Sequence, residues 1–313
     1  MGYARTPSMP SGPILVTGAN GNLGRRLLGR LAGTHALRAV VRSERAAGQV
    51  RTAGVDPPPE IRVLDYADAP RLAEAARGCT HAVHLVGILK EGRTSRYADA
   101  HERSCEALAR AAEAADLRRI VYPSILGARP DSPNACLASK GRAERILLGS
   151  RAPTLVLRVP MVLGEDDHAS ISLRARACAR RAVLVRGGAS LEQPIYAGDV
   201  ILAIVRGLDA PGLDGVALDL AGPESLSHRA LVARAAALLG APAPRVIPLP
   251  RAIAFAGAWL AERLVADPPV TRAMLGVLDH DDRIDPAPAC RRLGISLTPL
   301  DEALRRCIGT RTA

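Results

Sequence analysis

Aromatic side chains are nearly missing from this 313-residue chain: phenylalanine, tyrosine and tryptophan make up 2% of it, with one Phe and one Trp. So few rings cannot build the stacking platforms that grip single-stranded nucleic acid. Lysine is scarce as well, since only Lys90 and Lys140 stand among the 42 basic residues. The formal charge of +11 is therefore an arginine charge, in a chain also rich in alanine, glycine and proline. That composition points to a GC-rich coding background, and a nucleic-acid partner is disfavoured. The six cysteines (Cys79, Cys105, Cys136, Cys178, Cys290, Cys307) show no CxxC pair and no metal-ligand spacing, so no metal site is predicted. A reduced, cytoplasmic protein is the simplest expectation. No apolar run is long enough to span a bilayer. The first ten residues lack the apolar core of a secretory signal, and residues 1–12 read as a flexible leader.

Glycine, by contrast, is placed with purpose. Pro13-Ile14-Leu15-Val16-Thr17 reads as a buried strand, and Gly18, Gly21 and Gly24 follow at the start of a helix whose leucines recur at helical spacing. Such a strand–turn–helix offers unpaired N–H groups and a positive helix end to a pyrophosphate. Gly18 allows the turn, Gly21 the approach of the phosphates, and Gly24 the packing of helix on strand.

Further strands are predicted at 36–41, 61–64, 82–86, 119–122 and 154–158. Helices lie between them at 42–48, 70–77 (with Asp68 as N-cap), 97–115 and 135–148. Strands alternating with helices imply an α/β fold, a Rossmann-type doubly wound parallel sheet with ligands at the carboxyl ends of its strands. After Gly164 the regularity breaks. A basic helix is predicted over 169–181, carrying Arg174, Arg176, Arg180 and Arg181. A short strand at 194–197 precedes a helix capped by Asp199, and a strand at 216–220 and helices at 228–239 and 252–264 follow. The expected organisation is a dinucleotide domain at 13–165, completed by about 194–220. A smaller, mostly helical substrate lobe then comprises 166–193 and 221–313. The basic helix is read as a solvated face or an anionic contact surface. The helix at 252–264 holds only Glu262 and Arg263 as charges and reads as a core or lid helix, with peripheral membrane contact as the alternative.

The chain resembles the atypical, extended-type short-chain dehydrogenase/reductase superfamily. Thr17-Gly18-Ala19-Asn20-Gly21-Asn22-Leu23-Gly24 has its TGxxGxxG form. The resemblance is closest to the group around the nucleotide-binding accessory subunit of respiratory complex I and its bacterial relatives. It rests on His84-Leu85-Val86-Gly87-Ile88-Leu89, Ser124-Ile125-Leu126-Gly127-Ala128, Gln193-Pro194-Ile195-Tyr196-Ala197-Gly198-Asp199-Val200, Leu220-Ala221-Gly222-Pro223-Glu224 and Pro268-Pro269-Val270-Thr271-Arg272, in order from Pro13 to Ile308.

By this resemblance Gly18, Asn20, Gly21, Asn22 and Leu23 would line a pyrophosphate. Leu85, Val86 and Gly87 would pass under the adenine-side ribose, and Pro160, Met161 and Val162 would meet the nicotinamide. Asp65 and Tyr66 stand where the superfamily places an aspartate near the adenine, though Asp65 reads equally well as a turn cap. After the second strand comes Arg42-Ser43, with no carboxylate for ribose hydroxyls. A guanidinium suits a 2′-phosphate, so NADP(H) is favoured over NAD(H).

The superfamily's catalytic set is Ser, Tyr and Lys, the last two spaced as YxxxK on one helix face. Here Ser124 and Lys140 are in place, but Cys136 occupies the tyrosine position. A thiol is a weak donor and too short to reach where a phenol works, so Cys136 reads as a small buried residue. Tyr122 shares a strand face with Ser124 but sits roughly 7 Å deeper, and Tyr97 could approach only from a loop. Three functions follow from the resemblance. The first is an oxidoreductase that works without the tyrosine, on a small-molecule substrate. The second is a non-catalytic NADPH-holding structural, assembly or redox-sensing protein with a protein partner. The third, a sugar-nucleotide epimerase or dehydratase, suffers most from the missing phenol.

Overall fold

The computed structural model describes residues 12–309, so the predicted leader lies outside them apart from its last residue. β1 (Ile14–Thr17) is buried throughout, as a strand covered on both faces must be. It feeds α1 (Asn22–Leu31), which turns Leu27, Leu28 and Leu31 inward. The unit repeats through β2 (Leu37–Val41), α2 (Glu44–Arg51), β3 (Glu60–Val63), α3 (Ala69–Ala76), β4 (His81–His84), α4 (Ser104–Ala114), β5 (Arg119–Ile125), α5 (Ala135–Leu148) and β6 (Thr154–Val159). Side-chain caps fix several starts. Ser43 accepts from the Ala46 amide, Asp68 from Arg71, and Asn134 from Cys136 and Leu137.

Beyond β6 the elements shorten. They are β7 (Val162–Leu163), α6 (His168–Ala177), β8 (Arg181–Val185), β9 (Leu191–Glu192), β10 (Ile195–Tyr196), α7 (Ala197–Asp209), β11 (Val216–Asp219), β12 (Leu226–Ser227), α8 (His228–Leu238), β13 (Arg245–Leu249), α9 (Arg251–Leu264), α10 (Arg272–Leu278), α11 (Ala287–Leu293) and α12 (Leu300–Ile308).

Seven strands form one parallel sheet in the order β11-β6-β5-β4-β1-β2-β3. The fold is thus the Rossmann-type α/β arrangement that the strand–helix alternation implies. One apolar layer packs α1, α2 and α7 on the sheet, and the other packs α3, α4 and α5 on its opposite face. A third cluster, built on Leu163, Leu173, Leu231, Val232, Leu300 and Leu304, holds α6, α8 and α12 together away from the sheet. The chain reverses its direction of travel across the sheet between β1 and β4. The crevice at their carboxyl ends is where such sheets bind ligands.

Most boundaries shift by a few residues from the sequence reading, and four differences have structural consequences. The basic helix stops at Ala177. Arg180 lies in the turn, and Arg181 opens β8, which pairs in parallel with β13 some sixty residues later. The partner strand that makes Arg181 part of a sheet lies far along the chain, beyond the reach of local spacing. Asp199 is not an N-cap, because α7 starts two residues earlier. Its carboxylate instead accepts from the Thr298 amide and hydroxyl, both at 2.8 Å, fastening the C-terminal segment. The predicted single helix at 97–115 begins as a π-helical stretch, Ala98–Arg103, before α4. Finally, the predicted strand at 119–122 runs on to Ile125 and so includes Ser124.

Candidate active site at the carboxyl edge of the sheet

The turn between β1 and α1 is built from backbone. Gly18 has φ +71°, and a methyl group there would lie 2.9 Å from the Leu85 carbonyl carbon. At Gly24 a methyl would come within 2.6 Å of the Gly18 and Ala19 carbonyl oxygens. Only hydrogen fits at either place. Gly21 faces outward, its amide donating to the Gly18 carbonyl at 3.0 Å. α1 has no acidic residue in its first turn, so its positive end is uncompensated. Asn20 donates to Gln49, and Asn22 accepts from the Arg26 guanidinium at 2.8 Å. Leu23 packs on the core. Arg26 also pairs with Glu165, tying α1 to the loop after β7.

At the neighbouring strand ends, Arg42 is exposed, while the Ser43 hydroxyl is spent on capping α2 at 3.2 Å from the Ala46 amide. The Tyr66 phenol sits against the backbone of Gly18 and Arg42, and burial pushes its pKa up to about 12. Asp65 is an exposed turn cap that accepts from the Ala67 amide at 3.0 Å. Leu85 and Val86 run directly against Gly18. Pro160, Met161 and Val162 follow β6, and the Met161 carbonyl accepts from Ile195 at 2.9 Å.

On the other side of Gly87 the site changes character and becomes a chamber of side chains. A methyl at Gly87 would stand 3.1 Å from Lys140 Nζ and 3.6 Å from His101 Nε2. Lys140 donates to the Tyr122 hydroxyl at 2.9 Å and lies over that ring, 4.5 Å from its centroid. Tyr122 is fully buried and its phenol is pushed well above the usual value by that burial. Burial also lowers the Lys140 pKa, partly countered by Cys105, Cys136 and Glu144. Glu144 is itself held by Arg158 at 2.6 Å.

Two buried histidines complete the chamber. His84 bridges Thr17 at 2.7 Å and Ser104 at 3.2 Å, and its ring lies 5.6 Å from that of Tyr122. His101 Nε2 accepts from the Ile88 amide at 3.1 Å, which leaves the proton on Nδ1 of the neutral ring. Desolvation first, and then the Lys140 charge, lower both pKa values to about 3. The buried Nδ1 of His101 and the buried Oγ of Ser124 have no partner. Such orphaned groups are rare in folded proteins and call for a physical account.

Cys136 is buried, with its Sγ 3.8 Å from the Ile88 carbonyl and its thiol pushed up by burial. Tyr97, the first residue of the predicted helix at 97–115, stacks on His101 at 5.5 Å and donates to the Leu89 carbonyl at 2.8 Å. The sequence reading had set Tyr122 aside as too deep and missed His84 and His101. The available signals were the shared strand face of Tyr122 and Ser124, and the i, i+4 pair of Tyr97 and His101. Among the described residues, no group of three or more His, Cys, Asp or Glu is arranged to hold a metal ion.

A family model described as NAD(P)H-binding matches residues 18–177. The chain is 28% identical over 217 residues to NADH dehydrogenase [ubiquinone] 1 alpha subcomplex subunit 9, mitochondrial, of Arabidopsis thaliana. That match covers 67% of this chain and 53% of the plant protein, so the chain spans about half of that relative's length. It is 27% identical over 240 residues to the ceramide reductase of Caulobacter vibrioides, covering 76% of this chain and 74% of that one. A solved nucleoside-diphosphate-sugar epimerase from Pseudomonas aeruginosa shares the fold with a TM-score of 0.67 and 24% identity, over 96% of this chain and 97% of its own.

Proposed function

The chain belongs to the NAD(P)H-binding family, and we propose that within it this protein is an NADP(H)-dependent, short-chain dehydrogenase/reductase-like carbonyl reductase that works without the usual tyrosine. One observation carries the reading. Lys140, with its ammonium on the Tyr122 hydroxyl, stands beside Gly87 at the carboxyl edge of the sheet, next to a glycine turn shaped for a pyrophosphate, and Ser124, two residues along the strand from Tyr122, has an orphaned hydroxyl. The open first turn of α1 and the cradle at Gly18 and Gly21 fit such a dinucleotide. When bound, the cofactor supplies the hydride.

In this reading residues 13–165 with 194–220 bind the dinucleotide, and 166–193 with 221–313 face the substrate. Gly18, Asn20, Gly21, Asn22 and Leu23 hold the phosphates. Arg42, with Ser43 beside it, takes the 2′-phosphate, while Asp65, Tyr66, Leu85, Val86 and Gly87 flank the adenosine. Pro160, Met161 and Val162 border the nicotinamide. Lys140 binds the ribose hydroxyls through Nζ. It also gives a proton to the substrate oxygen, for which burial lowers its pKa in the useful direction. Ser124 donates to the same oxygen. Tyr122 fixes the ammonium in place and, being fully buried, does not meet substrate.

Titration of NADPH and NADH against wild type and Arg42→Ala tests the cofactor assignment. NADPH is expected to bind more tightly and to lose at least tenfold in the variant, and equal wild-type affinities would overturn the assignment. Oxidation of NADPH with a panel of aldehydes, ketones and enones tests catalysis. The burial of Cys136 favours a second reading, in which the protein holds NADP(H) without turning it over, as part of an assembly or a redox sensor. Retention of unreacted cofactor across the whole panel would select it. Cys136→Ala is expected to leave dinucleotide affinity unchanged. Loss of a measured reductase activity in that variant would instead make the thiol the acid.

A further inference from the structure

Outside the site, α9 presents a surface of unusual composition for a protein so poor in aromatics. It holds both the single Phe and the single Trp of the chain, Phe255 and Trp259. Of its fourteen residues only Ala258 is buried. Ile253, Leu260 and Leu264 are 59%, 50% and 74% exposed, and Trp259 is 39% exposed. At about 100° per residue the three aliphatic side chains fall within roughly 40° of one another, and Leu260 lies about 160° from Ala258. The helix therefore turns an apolar stripe outward, the reverse of an ordinary surface helix.

Arginine borders the stripe on one side: Arg263, about 60° from Leu260 around the helix, lies 4.1 Å from the Trp259 ring centroid, whereas Arg251 is on the opposite face, 5.0 Å from the Phe255 centroid and paired with Asp279 at 3.0 Å. Residues 245–272 contain Arg245, Arg251, Arg263 and Arg272 against Glu262 and Asp267. Glu262 is engaged by Arg272 at 2.8 Å and Asp267 by Lys90 at 3.1 Å. The β8–β13 ribbon that leads into α9 is similar. Val183 stands opposite Ile247 and Arg181 opposite Arg245, all four exposed.

We propose that the outer face of α9 docks on an anionic lipid bilayer. With Arg251 engaged by Asp279 and Arg272 by Glu262, the positive charge facing a bilayer is that of Arg263, Arg245 and Arg181, within a chain of net charge +11. An apolar stripe with a tryptophan and a snorkelling arginine, Arg263, at its margin matches the depth profile of a bilayer interface. α9 is too short to cross a membrane, and no helix among the described residues is long and apolar enough to do so. A helix of about 21 Å lies well in the interfacial plane. A second copy would fit worse, because a two-fold contact over this stripe would bring like arginines together.

The lone tryptophan makes the test site-specific. Wild-type protein is mixed with phosphatidylcholine vesicles with and without one quarter phosphatidylglycerol, at low and physiological salt, while Trp259 emission and co-sedimentation are followed. The expected result is sedimentation with the anionic vesicles at least tenfold stronger than with the neutral ones. It should come with a blue shift, quenching by brominated acyl chains, and weakening as salt rises. The double variant Leu260→Asp with Leu264→Asp is expected to keep its thermal unfolding midpoint, since both side chains face solvent, and to lose the shift and the sedimentation. Sedimentation without any change at Trp259, or no binding at low salt, would overturn the proposal. So would a wild-type dimer by sedimentation velocity that the double variant abolishes, because the stripe would then belong to a second copy.

Discussion

The two ends of the site are made of different material. Around Gly18, Gly21 and Gly24 the working surface is backbone. Its shape follows from a positive φ and two close approaches that only hydrogen permits. Around Lys140 the working surface is side chains drawn from β4, β5, α5 and the π-helical turn before α4, held by hydrogen bonds across long sequence separations. The first end tolerates no added atom but is indifferent to most neighbouring side chains. The second tolerates small changes in shape, yet depends on each polar partner, because an ammonium, a phenol and two imidazoles share a space with little water. A sequence motif can specify the first kind of site. Tertiary packing has to build the second.

The largest expected effect would break this contrast at the backbone end. Gly18→Val forces a β-branched residue into a left-handed conformation and drives a methyl into the Leu85 backbone. A loss of about 3 kcal/mol in stability is expected, combining the cost of that conformation with overpacking. Dinucleotide affinity should vanish with it. Denaturant unfolding and a binding titration measure both, and near-wild-type stability would mean that the turn relaxes more freely than its contacts indicate.

At the side-chain end the expected losses are smaller and graded. Lys140→Met should weaken dinucleotide binding by about 1.5–3 kcal/mol, the range for a hydrogen bond to a charged group. Tyr122→Phe should cost about 1 kcal/mol of stability, since Lys140 loses its acceptor, and should lower affinity less than removing the lysine does. Equal effects of the two variants on affinity would mean that the pair acts as one unit rather than as ligand and support.

Near neutral pH the smallest effect is a pH dependence that sharpens the comparison, since the glycine turn contributes nothing to it. His84 and His101 have folded pKa values near 3 against an ordinary 6.5. Between those values the unfolded chain binds protons that the folded chain refuses. Stability therefore falls as pH drops below about 6.5, by about 1.4 kcal/mol per pH unit for each histidine. Carboxylates add their own slope at the acid end. The difference between wild type and His101→Gln, whose amide oxygen can still accept from Ile88, isolates one imidazole. Thermal unfolding at pH 7, 6 and 5 should show the variant losing stability less steeply, and parallel curves would contradict the burial assigned to His101.

Much of this architecture was legible in the residues alone. The strand–glycine turn–helix, the alternation through residue 159 and the helix carrying Lys140 all follow from local spacing, and α5 has the span that spacing predicts. The boundaries that moved are those set by distant partners. β8 exists because β13 lies beside it, and Asp199 faces Thr298 instead of capping its helix. The pairing of Lys140 with Tyr122 escaped the sequence for the same reason. Depth along one strand says nothing about which helix side chain descends to meet it.

Residue order alone sets the glycine turn and the parallel α/β sheet, because a missing Cβ and a hydrophobic period are properties of neighbouring residues. Packing is what rests Lys140 on Tyr122, keeps His84 and His101 neutral, and turns the apolar stripe of α9 outward. Each of these depends on which groups the packed chain removes from water and which it leaves exposed, and that is fixed between residues far apart in the chain.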